Sequence, residues 1–303
     1  MSEILFLDGG MGQELIARSQ FPPSPLWSAK VLLDEPQIVE DVHRAYVDAG
    51  AKVITLNTYS ATPERLQRDA GPEIAEDLFL HLQTSGIELA KNAVAGTDVR
   101  VAGCLPPLKG SYQPSHAPDF DTCLATYRRL VALQKDHVSF FICETLSSIK
   151  EMKAAVQACA ESGVPVLCGM SVMDEDGTRL RSGEPLEEAA HAAKQAGATA
   201  LGINCSWPEA VSQAMPVLKP IGLPFGGWAN AFTKADDLAL GGTVDVLTAR
   251  TDLDPKTYAK HVMDWIAAGA TIVGGCCEVG PAHIKEIATR LQSAGHTVTG
   301  SLQ

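Results

Sequence analysis

Residues 267–284, AAGATIVGGCCEVGPAHI, hold in one short run the signals that decide the fold. A helical pattern ends at Ala268, Gly269 marks its exit, and an apolar run, ATIV, follows at once. Gly274 and Gly275 let the chain bend, and Pro281 suits the first turn of a new helix. The same helix–glycine–strand wording recurs at 48–56 (DAGAKVITL), 161–169 (ESGVPVLCG) and 195–203 (QAGATALGI). Such recurrence is the mark of repeated βα units, whose right-handed crossovers impose a parallel sheet.

Working outward, eight apolar runs read as strands: 4–7, 53–57, 99–104, 139–143, 164–171, 200–205, 223–228 and 271–275. They are nearly continuous in apolar residues rather than alternating, as strands covered on both faces should be. Helical periodicity fills the intervals, as in 37–51 (QIVEDVHRAYVDAGA) and 256–270 (KTYAKHVMDWIAAGA). Pro36, Pro72, Pro185, Pro208, Pro255 and Pro281 mark helix starts. Eight strands and eight helices in this length predict an α/β fold, a single (βα)8 TIM barrel, with an open doubly wound sheet as the rival. The long connections at 12–35, 105–120, 172–184 and 229–254 all follow strand ends, the face where barrel active sites form. No linker divides the chain, so residues 1–295 read as one domain and 296–303 as a short flexible tail.

The 303 residues are 46% hydrophobic and 20% charged, normal for a large buried core. A net charge of -12 and the lack of a Lys/Arg cluster exclude a nucleic-acid partner. The N-terminal MSEILFLDGGMG is no signal peptide, and no apolar run reaches transmembrane length, so no membrane partner is expected. Eight cysteines are too sparse for a disulfide scaffold and several lie inside strand-like runs, which fits reduced thiols in the cytoplasm. No heptad or exposed apolar helix specifies an oligomer.

The strand ends carry Asp8, Asn57, Tyr59, Cys104, Glu144, Cys205, Asn230, Cys276 and Cys277. Adjacent cysteines rarely join in a disulfide, because the ring strains the peptide between them. Alternate barrel strands feed one interior layer, so Cys205 and Cys276 should point at one spot, with Cys277 on the turn beside it. Three thiols without a fourth ligand suit a thiophilic divalent ion with an open position. Cys104, Cys123, Cys143, Cys159 and Cys168 read as small buried hydrophobes. Asp8 and Glu144 close apolar strands, where an unpaired carboxylate is costly; N-capping or an internal ion pair would explain them, as would recognition of a ligand ammonium. Trp27, Tyr59, Tyr112, Trp207 and Trp228 lie on or beside the same loops and suit a cationic ligand.

DGGMGQEL (8–15), NTYSAT (57–62), CETL (143–146), GINC (202–205) and GGCC with Pro281 and His283-Ile284 resemble the homocysteine S-methyltransferase family, in the family's order and over almost the whole chain. The resemblance implies a (βα)8 barrel with one catalytic Zn2+ held by Cys205, Cys276 and Cys277. It places homocysteine on Asp8 and Glu144 and puts Asn204 and Asn230 at family-like positions; Tyr59 and Trp27 then face the substrates. The homocysteine thiolate would be the fourth zinc ligand. Two departures fall on the active face: EVGP (278–281), where many relatives carry a basic residue and threonines, and GGWANAF (226–232), where relatives read more like PNSG.

The small-molecule partners implied are homocysteine, or a seleno-analogue, and a methyl donor. No GxGxxG fingerprint follows a strand, and the chain has neither cobalamin modules nor the long C-terminal extension of betaine-using animal relatives. By elimination S-methylmethionine is the first expectation, then S-adenosylmethionine, then betaine or another onium compound. A Schiff-base lyase would need a lysine where strand 6 ends in Cys205. A non-catalytic zinc- or thiol-binding barrel would need a fourth protein ligand.

Overall fold

The four glycines of the recurring motif take left-handed backbone angles at the ends of their helices: Gly50 (φ 108°), Gly163 (φ 77°), Gly197 (φ 106°) and Gly269 (φ 112°). Only glycine reaches these angles without a Cβ penalty, and each turn delivers the chain into the next strand. In a computed structural model that describes residues 2–243 and 246–302, the result is a (βα)8 barrel.

Among the described residues the strands are β1 (Glu3–Phe6), β2 (Val53–Thr55), β3 (Arg100–Leu105), β4 (Phe140–Leu146), β5 (Val166–Met170), β6 (Ala200–Asn204), β7 (Phe225–Trp228), β8 (Ile272–Val273) and β9 (Thr297–Thr299). Every strand pairing is parallel, in the order β2-β3-β4-β5-β6-β7-β8-β1-β9. After β1 come α1 (Met11–Arg18), α2 (Ser28–Asp34) and α3 (Pro36–Ala49); after β2, α4 (Pro63–Asp69) and α5 (Ala75–Val94). One helix follows each later barrel strand: α6 (Phe120–Gln134), α7 (Ile149–Ser162), α8 (Leu186–Ala196), α9 (Pro208–Leu218), α10 (Pro255–Ala268) and α11 (Pro281–Ser293). No helix among the described residues is long and apolar enough to cross a membrane.

Inside the barrel Leu5, Leu7, Val53, Phe140, Ile142 and Leu167 pack with Trp228 and Ile272, and a larger apolar layer joins the sheet to the helices. Trp228 lies across β5 and β6 because Gly169 and Gly202 have no side chains; a Cβ on Gly202 would stand 2.1 Å from its ring.

Two expectations are corrected. The segment 12–35 is largely helix, α1 and α2, rather than an open loop. Residues after 295 do not hang free, because β9 pairs with β1 through Glu3–Thr297, Ile4–Val298 and Leu5–Thr299. The physical reason is the β1–β2 seam. Their main chains meet where Lys52 N–H donates to the Phe6 carbonyl at 2.9 Å. Below that bond the outer edge of β1 needs another partner for its polar groups. Chain 297–302 supplies it, passing so near Lys52 that a Cβ on Gly300 would lie 2.3 Å from the Lys52 carbonyl oxygen, and Leu302 packs against the barrel interior.

Deleting residues 297–303 is expected to lower the unfolding free energy by about 2–4 kcal/mol, from one partly buried leucine and a few ladder hydrogen bonds. Urea unfolding measures this, and an unchanged midpoint would show that β9 does not support the barrel.

Candidate metal centre and active site

Backbone strain is concentrated at the mouth of the barrel. The five non-glycine residues with positive φ among the described residues are Trp27, Tyr112, Thr145, Cys205 and Glu278. Thr145 is near the C-terminal end of β4, Trp27 precedes α2, and the other three lie on strand-to-helix connections; all but Glu278 line one cavity. Such angles cost on the order of 1–3 kcal/mol apiece and persist where the surroundings over-determine them.

At Cys205 (φ 49°) the surroundings are the neighbouring strand ends. Its N–H donates to the Trp228 carbonyl at 3.2 Å, Cys276 N–H to the Ala229 carbonyl at 2.9 Å, and Ala231 N–H to the Cys277 carbonyl at 3.0 Å. Behind them the Tyr258 hydroxyl donates to the carbonyls of Ala229 (3.1 Å) and Gly274 (2.9 Å). From the other side Gly10 presses on the pair; a Cβ there would stand 2.4 Å from the Cys276 carbonyl oxygen. This knitting brings the sulfurs of Cys205, Cys276 and Cys277 within 4.8 Å of one another, with Cys205 and Cys277 3.7 Å apart. A tetrahedral zinc with Zn–S bonds of about 2.3 Å spaces its sulfurs roughly 3.8 Å apart, so the cluster fits such an ion. All eight cysteines are free thiols, and no fourth His, Cys, Asp or Glu joins the cluster among the described residues.

The cluster's electrostatics are uneven. Burial works against ionisation of Cys205, but hydrogen bonds from Cys276, Cys277 and the Tyr112 hydroxyl outweigh it and hold this thiol well below its ordinary value. Cys276 and Cys277 are held well above theirs, chiefly by their bonds to Cys205. One negative charge therefore gathers on Cys205, and a divalent ion would draw protons from the other two. Tyr112 lies 2.9 Å from the Cys205 sulfur, and the Asn230 amide nitrogen lies 3.9 Å from it. Above Tyr112 sits the Arg181 guanidinium, 4.8 Å from the ring centroid. Arg181 is buried, pairs with Asp174 (2.9 Å) and Asp236 (2.6 Å), and donates to the Cys205 carbonyl at 3.3 Å.

Beside the sulfurs, Asp8 and Glu144 line the same cavity. Asp8 accepts the Thr55 N–H at 2.8 Å and its hydroxyl at 3.1 Å, yet burial raises its carboxyl to about 7. Glu144 is raised to about 8 by burial first, then by the charges of Asp8 and Cys205, against a weak hydrogen bond from Cys104. Neither is paired with a Lys, Arg or His among the described residues. Two desolvated carboxylates without a counter-ion are suited to a ligand ammonium.

Trp27 and Tyr59 also line the cavity, edge to face with centroids 5.7 Å apart, and the Tyr59 hydroxyl meets Ser111 Oγ at 2.8 Å. The two asparagines are placed differently from a substrate-binding expectation, for both are fully buried and neither lines the cavity. The Asn204 amide is spent on Thr145, accepting its N–H at 2.8 Å and donating to its hydroxyl at 3.1 Å. Since Thr145 (φ 59°) follows Glu144, Asn204 fixes the bend that aims the glutamate. Asn230 accepts the Phe232 N–H at 3.2 Å behind Cys205. Trp207 stays out of the cavity as well, donating to the Phe232 carbonyl at 2.8 Å and lying 5.6 Å under Arg250. Sequence reasoning missed Arg181, Phe232 and Leu247, which no local pattern marks as belonging to a site.

The mouth of the (βα)8 barrel thus carries three convergent thiols that could hold a metal ion, beside two carboxyls that no Lys, Arg or His pairs with among the described residues. Residues 5–291 match the family described as Homocysteine S-methyltransferase, so the chain belongs to that family and is a methyltransferase. It is 30% identical to the homocysteine S-methyltransferase of Escherichia coli (strain K12), over 95% of each chain. It is 26% identical to betaine–homocysteine S-methyltransferase 1 of Mus musculus, over 95% of this chain and 72% of the mouse protein. Among solved structures, the metallated form of the Escherichia coli homocysteine methyltransferase MmuM superposes with a TM-score of 0.78 at 28% identity, covering 95% of this chain and 96% of that one.

Two outcomes test the site. Tyr112→Phe removes the hydroxyl from Cys205 and should weaken metal retention about tenfold or more in a chelator competition, the usual effect of losing such a bond; unchanged retention would remove Tyr112 from the centre. Glu144→Gln tests the buried charge. Because Glu144 is raised from 4.5 to about 8, the folded protein holds its proton more tightly than the unfolded chain, and that stability is lost as pH rises toward 8. Relative to the parent, Glu144→Gln should raise the urea midpoint at about pH 8.5 and change it little near pH 5. A gain that does not grow with pH would contradict the assignment.

Proposed function

We propose that the chain catalyses methyl transfer from an onium donor to the thiolate of L-homocysteine, giving methionine, with S-methylmethionine the first-choice donor and S-adenosylmethionine the second. The reading rests above all on three convergent sulfurs set beside two carboxylates, with no fourth protein ligand and no paired cation among the described residues. Cys205, Cys276 and Cys277 would hold one Zn2+, which when bound supplies a Lewis-acidic position that keeps the homocysteine sulfur, its fourth ligand, deprotonated.

The chain's own residues do the rest. Asp8, oriented by Thr55, and Glu144, oriented through Thr145 and Asn204, take the homocysteine ammonium and turn its side chain toward the cysteines. Trp27 and Tyr59 offer aromatic surface to the onium centre of the donor. With both reactants held, the homocysteine sulfur lone pair forms the new bond to the methyl carbon. The electron pair of the donor's carbon–sulfur bond returns to the donor sulfur, so S-methylmethionine leaves as a second methionine. No proton moves in that step, and positioning and electrostatics carry the rate. Eight free thiols suit a reducing cytoplasm.

The deciding experiment gives metal-loaded protein, homocysteine and, in turn, S-methylmethionine, S-adenosylmethionine and betaine, and measures methionine. S-methylmethionine should give the fastest turnover; a betaine preference would reassign the donor. Cys276→Ala should lose both bound zinc and turnover. Full activity without zinc would overturn the mechanism. A zinc edge that shows a closed site gaining no sulfur from homocysteine would favour a non-catalytic thiol-binding barrel.

A further inference from the structure

Among the described residues, four charged side chains line the cavity that holds the cysteines: Asp8, Glu144, Arg65 and Arg68. The first two accept an ammonium in the reading above. The two arginines share the α4 side of the wall, and their surroundings differ. Arg68 is neutralised locally, because Nε and Nη2 each lie 2.6 Å from a carboxylate oxygen of Asp69 and Nη1 donates to the Lys109 carbonyl. Arg65 has no such partner. It is 8% exposed, and no carboxylate pairs with it among the described residues. Its Nε and Nη2 converge on the Pro107 carbonyl at 3.2 and 3.0 Å, and Nη2 reaches Ser111 Oγ at 3.5 Å. Its guanidinium lies 5.1 Å over the Tyr59 ring. The stem is fixed too, since Arg65 N–H donates to Thr62 Oγ1, which in turn donates to the Leu108 carbonyl. A rigid, buried guanidinium that meets only neutral oxygens keeps its capacity for a bidentate anion.

The contacts around it form one continuous wall. Arg65 stacks on Tyr59, Tyr59 meets Trp27 edge to face, and the Tyr59 hydroxyl meets Ser111. Ser111 precedes Tyr112, whose hydroxyl rests on the Cys205 sulfur. The wall therefore starts at a cation and ends at the thiol cluster. We propose that Arg65 is the carboxylate anchor of the methyl donor, taking its α-carboxylate while Tyr59 and Trp27 face the onium centre and the methyl is turned toward the cysteines. This rests on the onium-donor reading and narrows it to donors that carry a carboxylate a few bonds from the cation.

Homocysteine also carries a carboxylate, so the test separates the two sources. Arg65→Gln and Arg65→Lys are compared with the parent using two donors: S-methylmethionine and (3-aminopropyl)dimethylsulfonium, the same cation without the carboxylate. The parent should prefer S-methylmethionine. Arg65→Gln should raise its KM roughly 10- to 100-fold, as expected for losing a charge-assisted contact, and bring the two donors within about twofold of each other. Arg65→Lys should fall between, and the homocysteine KM should stay within about twofold. A purely structural Arg65, bracing Pro107, would slow both donors alike and leave their ratio unchanged, which overturns the proposal. A rise confined to the homocysteine KM overturns it equally. The same ratio is read from calorimetric binding of the two sulfonium compounds to metal-loaded protein, without turnover. If the parent makes no methionine from any donor, the methyl-transfer reading fails, while the anchor is still judged by binding: no preference in the parent, or one that Arg65→Gln retains, overturns it.

Discussion

Between β1 and β2 the main chains meet once, at Phe6 and Lys52, and higher up the Asp8 carboxylate takes the Thr55 N–H that a neighbouring strand would have taken. One side chain therefore helps close the barrel and lines the cavity at its mouth. The arrangement ties stability to function. Asp8 is buried enough to be raised to about 7, and the two hydrogen bonds from Thr55 offset only part of that desolvation. Glu144, nearby, is raised further because Asp8 is there. With no Lys, Arg or His paired to them among the described residues, the two carboxyls weaken the protein as pH rises, and an ammonium would relieve them. Below the seam β9 supports the opposite end of β1, so the strand that carries Asp8 is held at both ends while its outer edge is left to a side chain.

The thiol cluster follows the same logic in another form. Its strain is in the backbone, at Cys205 and at Glu278 just past the pair, and the neighbouring strand ends stabilise it through main-chain bonds and the Tyr258 hydroxyl. Thr145 repeats the pattern beside Glu144. A β-branched residue at positive φ is an outlier that needs a reason, and the Asn204 amide supplies it. Supporting residues one layer below the cavity thus aim the residues that line it.

Legibility in the sequence tracked the range of the interaction responsible. The barrel was readable because its signals are local: a glycine at each helix exit, a proline at many helix starts and apolar runs of strand length between them. Cys205 and Cys276 could be placed near one another because barrel layering is a rule of topology, and the structure brings their sulfurs together. What escaped was long-range. Thr297–Thr299 is a short polar run with no strand signature, and only the free edge of β1 makes it a strand. The helices within 12–35 were hidden because this stretch is rich in prolines and polar residues. Asn204 is singled out only through the family resemblance; its hydrogen bonds to Thr145, 59 positions away, are a long-range contact that no local pattern shows. Arg65 and Arg181 look like ordinary solvated cations in the sequence; only packing shows that both are buried.

Under the proposed reading, those two arginines would also bear on how an acidic mouth selects its donor. The cysteines, Asp8 and Glu144 create a negative pole that would accept any small cation. Arg181 stands behind Cys205 and Tyr112, its charge matched by Asp174 and Asp236, and it does not line the cavity. Arg65 stands in the lining at the far end of the aromatic wall, with no carboxylate paired to it among the described residues. A simple cation gains only the negative pole and leaves Arg65 desolvated without an anion. On that proposal a zwitterionic onium compound with the right span would satisfy both poles at once. In a low-dielectric cavity an unpaired buried charge is the larger penalty, so discrimination would come less from attraction to the right ligand than from what the wrong one leaves unsatisfied.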